Sequence, residues 1–310
     1  MLFLQLALLA SAASALPTYP IHKNTTTTSA NSTTIPSRLC GVDEPSSALL
    51  DAHTNIRSSL RKREPTRSRK YTVDTVFHII TTEDQKNTIT KSMVANQFGA
   101  LQSAYASSSI SFRLKSVNYV VNDTWATDAA DSDMKAALRQ GNYSTLNIYF
   151  QSNLSTSFDG TPSQLLGYCT LPTNVTYSPC DGCDPTEMPA DNYAMDGCNV
   201  HAGTMPNGPL QYYNQGKTAV HEVGHWFGLL HTFQDNSCAD GDAGDFIDDT
   251  PQESVSTDGC PVGKKSCPDC PGVDPIHNFM DYSQDSCYEG FTPDQIHRMQ
   301  EMFGSLRLGE

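Results

Sequence analysis

His221-Glu222-Val223-Gly224-His225 places two imidazoles four residues apart with a carboxylate beside the first. On a helix this spacing puts both rings on one face, one turn apart. That suits two of the three protein ligands of a catalytic, tetrahedral zinc site. Glu222 then stands near the open fourth position, where a carboxylate can take a proton from water and pass it to a leaving amine. Paired histidines on helices also arise by accident, so a third ligand decides the matter. His231 follows His221 by ten residues. On an unbroken helix it would lie about 15 Å along the axis and about 80° around it. The chain must therefore turn between His225 and His231, and Gly228 stands where the turn is needed. Three histidines with water as fourth ligand make a catalytic type of site, because a structural zinc site is closed by four protein ligands.

The surrounding pattern supplies elements to hold these residues. Gln215 to Leu229 reads as one strong helix carrying the motif. Before it, Tyr71 to Ile80 alternates as a strand, and Val94, Phe98, Leu101 and Tyr105 recur at helical steps behind Thr90 as N-cap. Ile110, Phe112 and Leu114 begin a strand running on toward Val121, Asp131 to Arg139 reads as a short helix, and Leu146, Ile148 and Phe150 alternate again. Strand, helix, strand, helix, strand predicts a sheet with helices packed on it. From 157 to 210 Pro, Gly, Asp and Cys dominate, apart from an edge strand expected around Val200. Another loop-rich stretch runs to Gly290, and a helix from Pro293 to about Phe303 closes the chain, with Thr292 and Gln295 as a capping box. Leu49 to Leu60 reads as a further short helix.

HEVGHWFGLLH fits H-E-x-x-H-x-x-G-x-x-H, the metzincin signature, and Met280 in Asn278-Phe279-Met280-Asp281-Tyr282 is a candidate for the downstream Met-turn. Within the metzincins the chain resembles the pappalysin group, most of all its secreted fungal metalloproteases. HEVGHWFGLLHTF, the stretch Phe246-Ile247-Asp248-Asp249-Thr250-Pro251, and NFMDYSQDSC carry the resemblance, which covers about residues 70–310. It implies an α/β (α+β) catalytic domain: an upper twisted mixed sheet with packed helices, and a lower irregular, disulfide-bonded subdomain ending in a helix. The cleft lies between them. It also implies an endopeptidase acting on protein or peptide substrates, with Met280 beneath the metal. Tyr282 would help to stabilise the tetrahedral oxyanion; the bland alternative is a tyrosine that only packs in the turn. The resemblance further implies the disulfides Cys238–Cys267 and Cys260–Cys287. A rival reading of the whole chain is a secreted, non-catalytic, zinc-containing binding module, against which Glu222 speaks, since holding zinc does not need it.

Ten cysteines in 310 residues raise the question of compartment. Leu2 to Ala10 is an apolar run too short to span a bilayer, followed by Ala13-Ser14-Ala15, so residues 1–15 read as a signal peptide. The protein is then secreted, and no later apolar stretch is long enough for a membrane anchor. Asn24, Asn31, Asn122, Asn142, Asn153 and Asn174 head glycosylation sequons. Residues 16–63 read as a pro-segment, Ser/Thr-rich first, then basic, ending at the dibasic pair Lys62-Arg63; the end could fall as late as 70. An upper subdomain over 64–228 and a lower one over 229–310 follow. The formal net charge of −14 becomes −17 once residues 1–63 are removed. Such an acidic balance argues against nucleic-acid binding and against docking on anionic lipid. A monomer is expected.

Cys40, in Arg38-Leu39-Cys40-Gly41-Val42-Asp43, lies in the pro-segment. Its thiolate could take the open zinc position as a latch, and the segment resembles the cysteine-switch latches of metzincin pro-segments; an ordinary disulfide cysteine is the alternative. Cys180-x-x-Cys183 and Cys267-x-x-Cys270 invite a zinc-knuckle reading, but an oxidising compartment favours disulfides. The partners of Cys169, Cys180, Cys183, Cys198 and Cys270 are not readable. Asp235, Asp240, Asp242, Asp245, Asp248 and Asp249 form an acidic loop that is either solvated or a calcium site; its spacing is not that of an EF-hand.

Overall fold

The computed structural model describes residues 40–41, 44–62, 69–158, 161–173, 190–239 and 241–308. The expected signal peptide, Arg63, Asn24, Asn31, Asn174, Cys180, Cys183 and Asp240 lie outside these residues.

Strand β1 (Cys40–Gly41) precedes helix α1 (Ser47–Arg61). Then come β2 (Tyr71–Thr81), α2 (Lys91–Ala104), β3 (Ile110–Val121), α3 (Asp131–Leu138) and β4 (Leu146–Gln151). The hairpin β5 (Ser155–Phe158) and β6 (Thr161–Gln164) leads to β7 (Gly167–Cys169), α4 (Ala190–Met195) and β8 (Cys198–His201). Helices α5 (Lys217–Trp226) and α6 (Pro293–Met302) complete the set.

Six strands form one mixed sheet in the order β1-β7-β8-β4-β2-β3. All neighbours run parallel except β7 and β8. The alternation in β2 decides its two faces. Phe77 and Ile79 point into the main core with α2, α5 and α6, while Ile80 packs with Met134 of α3 on the other side. Thr90 caps α2 by accepting from Met93 N, and Thr292 and Gln295 form the expected capping box of α6.

The edge strand expected around Val200 is instead internal: β8 lies between β7 and β4. At that end of the sheet the two-residue β1 is the rim, and its neighbour β7 is only three residues long and is stapled to β8 by a Cys169–Cys198 disulfide. Period-2 alternation has nothing to show over three residues. Cys238–Cys267 and Cys260–Cys287 are also joined. Below the sheet, the described residues of 227–292 form loops with short 3-10 turns and one isolated bridge between Asn278 and Gly290.

Candidate active site

Helix α5 holds His221, Glu222 and His225, all completely buried. It is shorter than the sequence pattern suggests because it stops at Phe227, and Gly228 follows with φ +92°. A left-handed residue there turns the chain back, so that His231 approaches the two helical imidazoles. The Nε2 atoms of His221 and His231 lie 3.3 Å apart, those of His221 and His225 3.1 Å, and those of His225 and His231 3.0 Å. His221 Nδ1 sits 2.7 Å from the Phe279 carbonyl and His225 Nδ1 2.8 Å from the Leu229 carbonyl. Each carbonyl can only accept, so each Nδ1 carries its ring's proton and turns the Nε2 lone pair toward the common centre.

Several residues fix α5. Its N-cap, Gly216, has no side-chain cap; the Asp285 carboxylate accepts instead from Gln215 N at 2.8 Å and Lys217 N at 3.3 Å. Tyr105, the C-cap of α2, donates to Val220 O at 3.0 Å. Met280 lies directly beneath: a Cβ on Gly224 would come within 2.5 Å of its Sδ. At the far end, buried Asp196 accepts from Trp226 Nε1 at 3.2 Å and pairs with Arg307 at 2.9 Å and Arg139 at 3.3 Å. Arg307 also donates to Trp226 O and lies 3.8 Å over the indole ring. The sequence reading missed Asp285, Asp196 and Arg307, since each acts on α5 from far along the chain. The tryptophan beside His225 was the one local signal that something must receive its N–H.

Cys40 completes the cluster. Its Sγ and the three histidine nitrogens all lie within 4.8 Å of one another. The thiol donates to Glu222 Oε2 at 3.3 Å, and Tyr282 donates its hydroxyl to Cys40 O at 3.2 Å. Tyr282's ring centroid is 4.9 Å from that of His231 and 4.7 Å from that of Phe233. So residues 40, 221, 222, 225, 231, 280 and 282 come together at one place. β1, which carries Cys40, pairs with the outer edge of β7.

Below the site, Thr232 donates to buried Glu253 at 2.7 Å, and Lys264 bridges Glu253 and Asp274. Burial, helped by Asp281, pushes the Glu253 carboxyl up to about 7. In the acidic loop Asp245 is buried and holds Thr250 and Ile247 N. Burial pushes its carboxyl up to about 8. Asp248 is instead held down to about 2, chiefly by hydrogen bonding to Arg61. Asp235 forms part of a short 3-10 turn, Gln234–Asn236. Among the sequons, Asn142 and Asn153 are exposed, while Asn122 is half-buried and its Oδ1 accepts from Thr124 N and Trp125 N.

The family model described as pregnancy-associated plasma protein-A, a peptidase family, matches residues 182–304. An extracellular metalloprotease of Aspergillus fumigatus is 49% identical over 257 residues, which span 77% of each chain. The chain belongs to the pappalysin family of metalloproteases. An extracellular metalloprotease of Pyricularia oryzae is 40% identical over 278 residues, 87% of this chain and 90% of the other. Mature mirolysin of Tannerella forsythia, solved with a cleaved peptide, matches with a TM-score of 0.58 at 25% identity, covering 78% of this chain and 93% of its own. The comparisons support a secreted zinc metalloendopeptidase of metzincin fold acting on peptide or protein substrates, and they do not favour the binding-module alternative. Among the described residues no helix is long and apolar enough to cross a membrane.

Proposed function

We propose that His221, His225 and His231 hold one catalytic zinc ion, that Glu222 is the general base and acid, and that Cys40 keeps the precursor latent. One observation carries this reading: three lone-pair nitrogens converge at 3.0–3.3 Å from one another. Ligands about 2.05 Å from a tetrahedral zinc are about 3.3 Å apart, so the donor set fits the ion in number, type and spacing. Bound there, zinc supplies Lewis acidity that polarises a scissile carbonyl and makes water more acidic.

The chain's own residues do the rest. Glu222 takes a proton from the attacking water and delivers it to the leaving amine. The Tyr282 hydroxyl, which binds a backbone carbonyl of the pro-segment, donates to the oxygen that becomes negative in the transition state. Met280 packs as an apolar floor against Gly224. With β1 gone, the outer edge of β7 accepts a substrate strand by main-chain pairing, beside Glu222. The Cys40 thiol occupies both the open corner of the histidine cluster and the hydrogen-bonding position at Glu222, which is what a latch must block.

Residues 1–15 act as the signal peptide and 16–63 as the pro-segment, with an upper subdomain to 228 and a lower one beyond it. The mature enzyme is a monomer. Calcium binds the 242–253 loop, where a cavity of about 140 Å³ is lined by Asp242, Asp245, Thr250 and Glu253. The neutral Asp245 that burial enforces would ionise beside such a cation. Melting that does not change with calcium would remove that site.

The test of the mechanism is a peptide-library assay with and without a zinc chelator, beside Glu222→Gln. Activity surviving in Glu222→Gln would sink it. Cys40→Ser precursor should be active before any cut; persistent latency would remove the latch.

A further inference from the structure

Away from the histidines, α1 docks on a face built by α6, its continuation to Leu308, and the loop around Phe246. Leu49, His53, Arg57 and Arg61 recur at steps of four and form one stripe along α1. Each meets a separate receptor. Leu49 is 2% exposed and packs with Met302 and Leu306. His53 is fully buried, its ring 5.4 Å from Phe246, and its Nδ1 accepts from Arg298. Arg57 and Arg61 each reach Asp248 at 2.6 Å, and Arg57 also donates to Ala243 O at 3.4 Å.

We propose that this face is a helix-binding site that works in trans. It keeps the excised segment in place after the chain is cut behind Lys62-Arg63, so that cutting and release are separate events. The proposal rests on the maturation reading above but not on the Cys40 latch, because no residue of the stripe belongs to the histidine cluster. Three observations support it. The stripe ends at Arg61, immediately before the dibasic pair, so the cut leaves every one of its contacts whole. Every receptor residue lies at or beyond Leu171, so all of them stay on the catalytic side. The charges also match: two arginines face one carboxylate on a domain of net −17. A lone helix of α1's 15 residues is marginal in water, so α1 owes its order to this face.

The test uses the full-length chain. It is nicked at Lys62-Arg63 with a dibasic-specific protease and run on gel filtration, with activity followed on dilution. The nicked wild type should retain the segment until diluted. Truncating a buried leucine weakens binding about thirtyfold or more, and each partly exposed ion pair adds up to about fivefold. The Leu49→Ala/Arg57→Ala/Arg61→Ala variant should therefore release the segment at concentrations about a hundredfold higher. A synthetic peptide of residues 44–62, which lacks Cys40, should displace the retained segment without binding the histidines. Complete separation of the nicked wild type would overturn the proposal, as would unchanged retention by the triple variant or failure of the peptide to compete. If Cys40→Ser alone frees the segment, the hold is the thiol and the helix face is not a site. Lack of proteolysis after the segment is stripped would instead count against the catalytic reading, since retention is read without activity.

Discussion

Asp196→Asn should be among the costliest single substitutions in the protein, although Asp196 touches none of the histidines. Its side chain is 2% exposed and lies between Arg307, which is 0% exposed, and Arg139, which is 3% exposed. It also accepts from Trp226 Nε1 and from Thr170 Oγ1. Asparagine keeps the shape but removes the charge, leaving two buried guanidinium groups facing a neutral amide. Removing one partner of a buried pair costs about 3–5 kcal/mol, because the remaining charge has no water to turn to. For a domain of this size each kcal/mol lowers the melting temperature by about 2–4 °C, so a drop of about 10 °C is expected. Asp248→Asn is the internal control. It also removes a carboxylate from two arginines, but these groups are 23–59% exposed, and such a pair is worth about 1 kcal/mol or less. Thermal scans at matched rates measure both variants, with tryptophan fluorescence in a Trp125→Phe background reporting the lost Trp226 indole bond. A shift for Asp196→Asn within about 3 °C of wild type would refute the claim that this carboxylate is the hub holding the end of α5.

Tyr282→Phe should lower kcat about a hundredfold with little change in KM, since its hydroxyl is assigned to the transition state alone; equal changes in both would reassign it to binding. Gly224→Ala places a methyl 2.5 Å from Met280 Sδ and should cost about 1–3 kcal/mol in chemical denaturation, with Met280→Leu failing to relieve it. Asp245, raised to about 8 by burial, gives the folded state more bound protons than the unfolded one between about pH 4 and 8. In a calcium-selective chelator, stability should therefore fall as pH rises through that window, and Asp245→Asn should flatten the slope. Treatment with an N-glycosidase should shift the gel mobility of the secreted protein, and by less in Asn142→Gln or Asn153→Gln; wild-type mobility in both would exclude these exposed sequons.

The histidine cluster was legible because its members are local in sequence. His231 follows His221 by only ten positions, and the turn at Gly228 follows from the requirement that three side chains meet. The first strands and helices were legible as well, because β2, β3 and α2 are long enough to display their periods. β7 was not, since three residues display no period and its place is fixed by pairing with β8 and by a disulfide. The supports of α5 were hidden for a related reason: Asp285 caps it from 68 residues beyond Lys217, and Arg307 reaches Trp226 from 81 residues away. The cysteines divide likewise. Two pairs came with the family resemblance, whereas Cys169–Cys198 follows from the register of β7 against β8, in which these residues stand opposite each other. Cys270 lies beside Cys238 O and Gln252 without joining a disulfide.

The Asp196–Arg307 pair also sets an order of events during synthesis. Its two members are 111 residues apart, and Arg307 lies 82 residues beyond His225. While the chain emerges, β2, β3, β4 and α2 can assemble, since they come out early and pair among themselves. The end of the helix that carries the histidines has no such freedom, because the guanidinium that grips it has yet to appear. A nascent chain thus holds the β3-β2-β4 part of its sheet before the histidine-bearing end of α5 is locked. The histidine-bearing end of α5 is therefore fixed last, at the close of synthesis, when the C-terminal residue that grips it arrives.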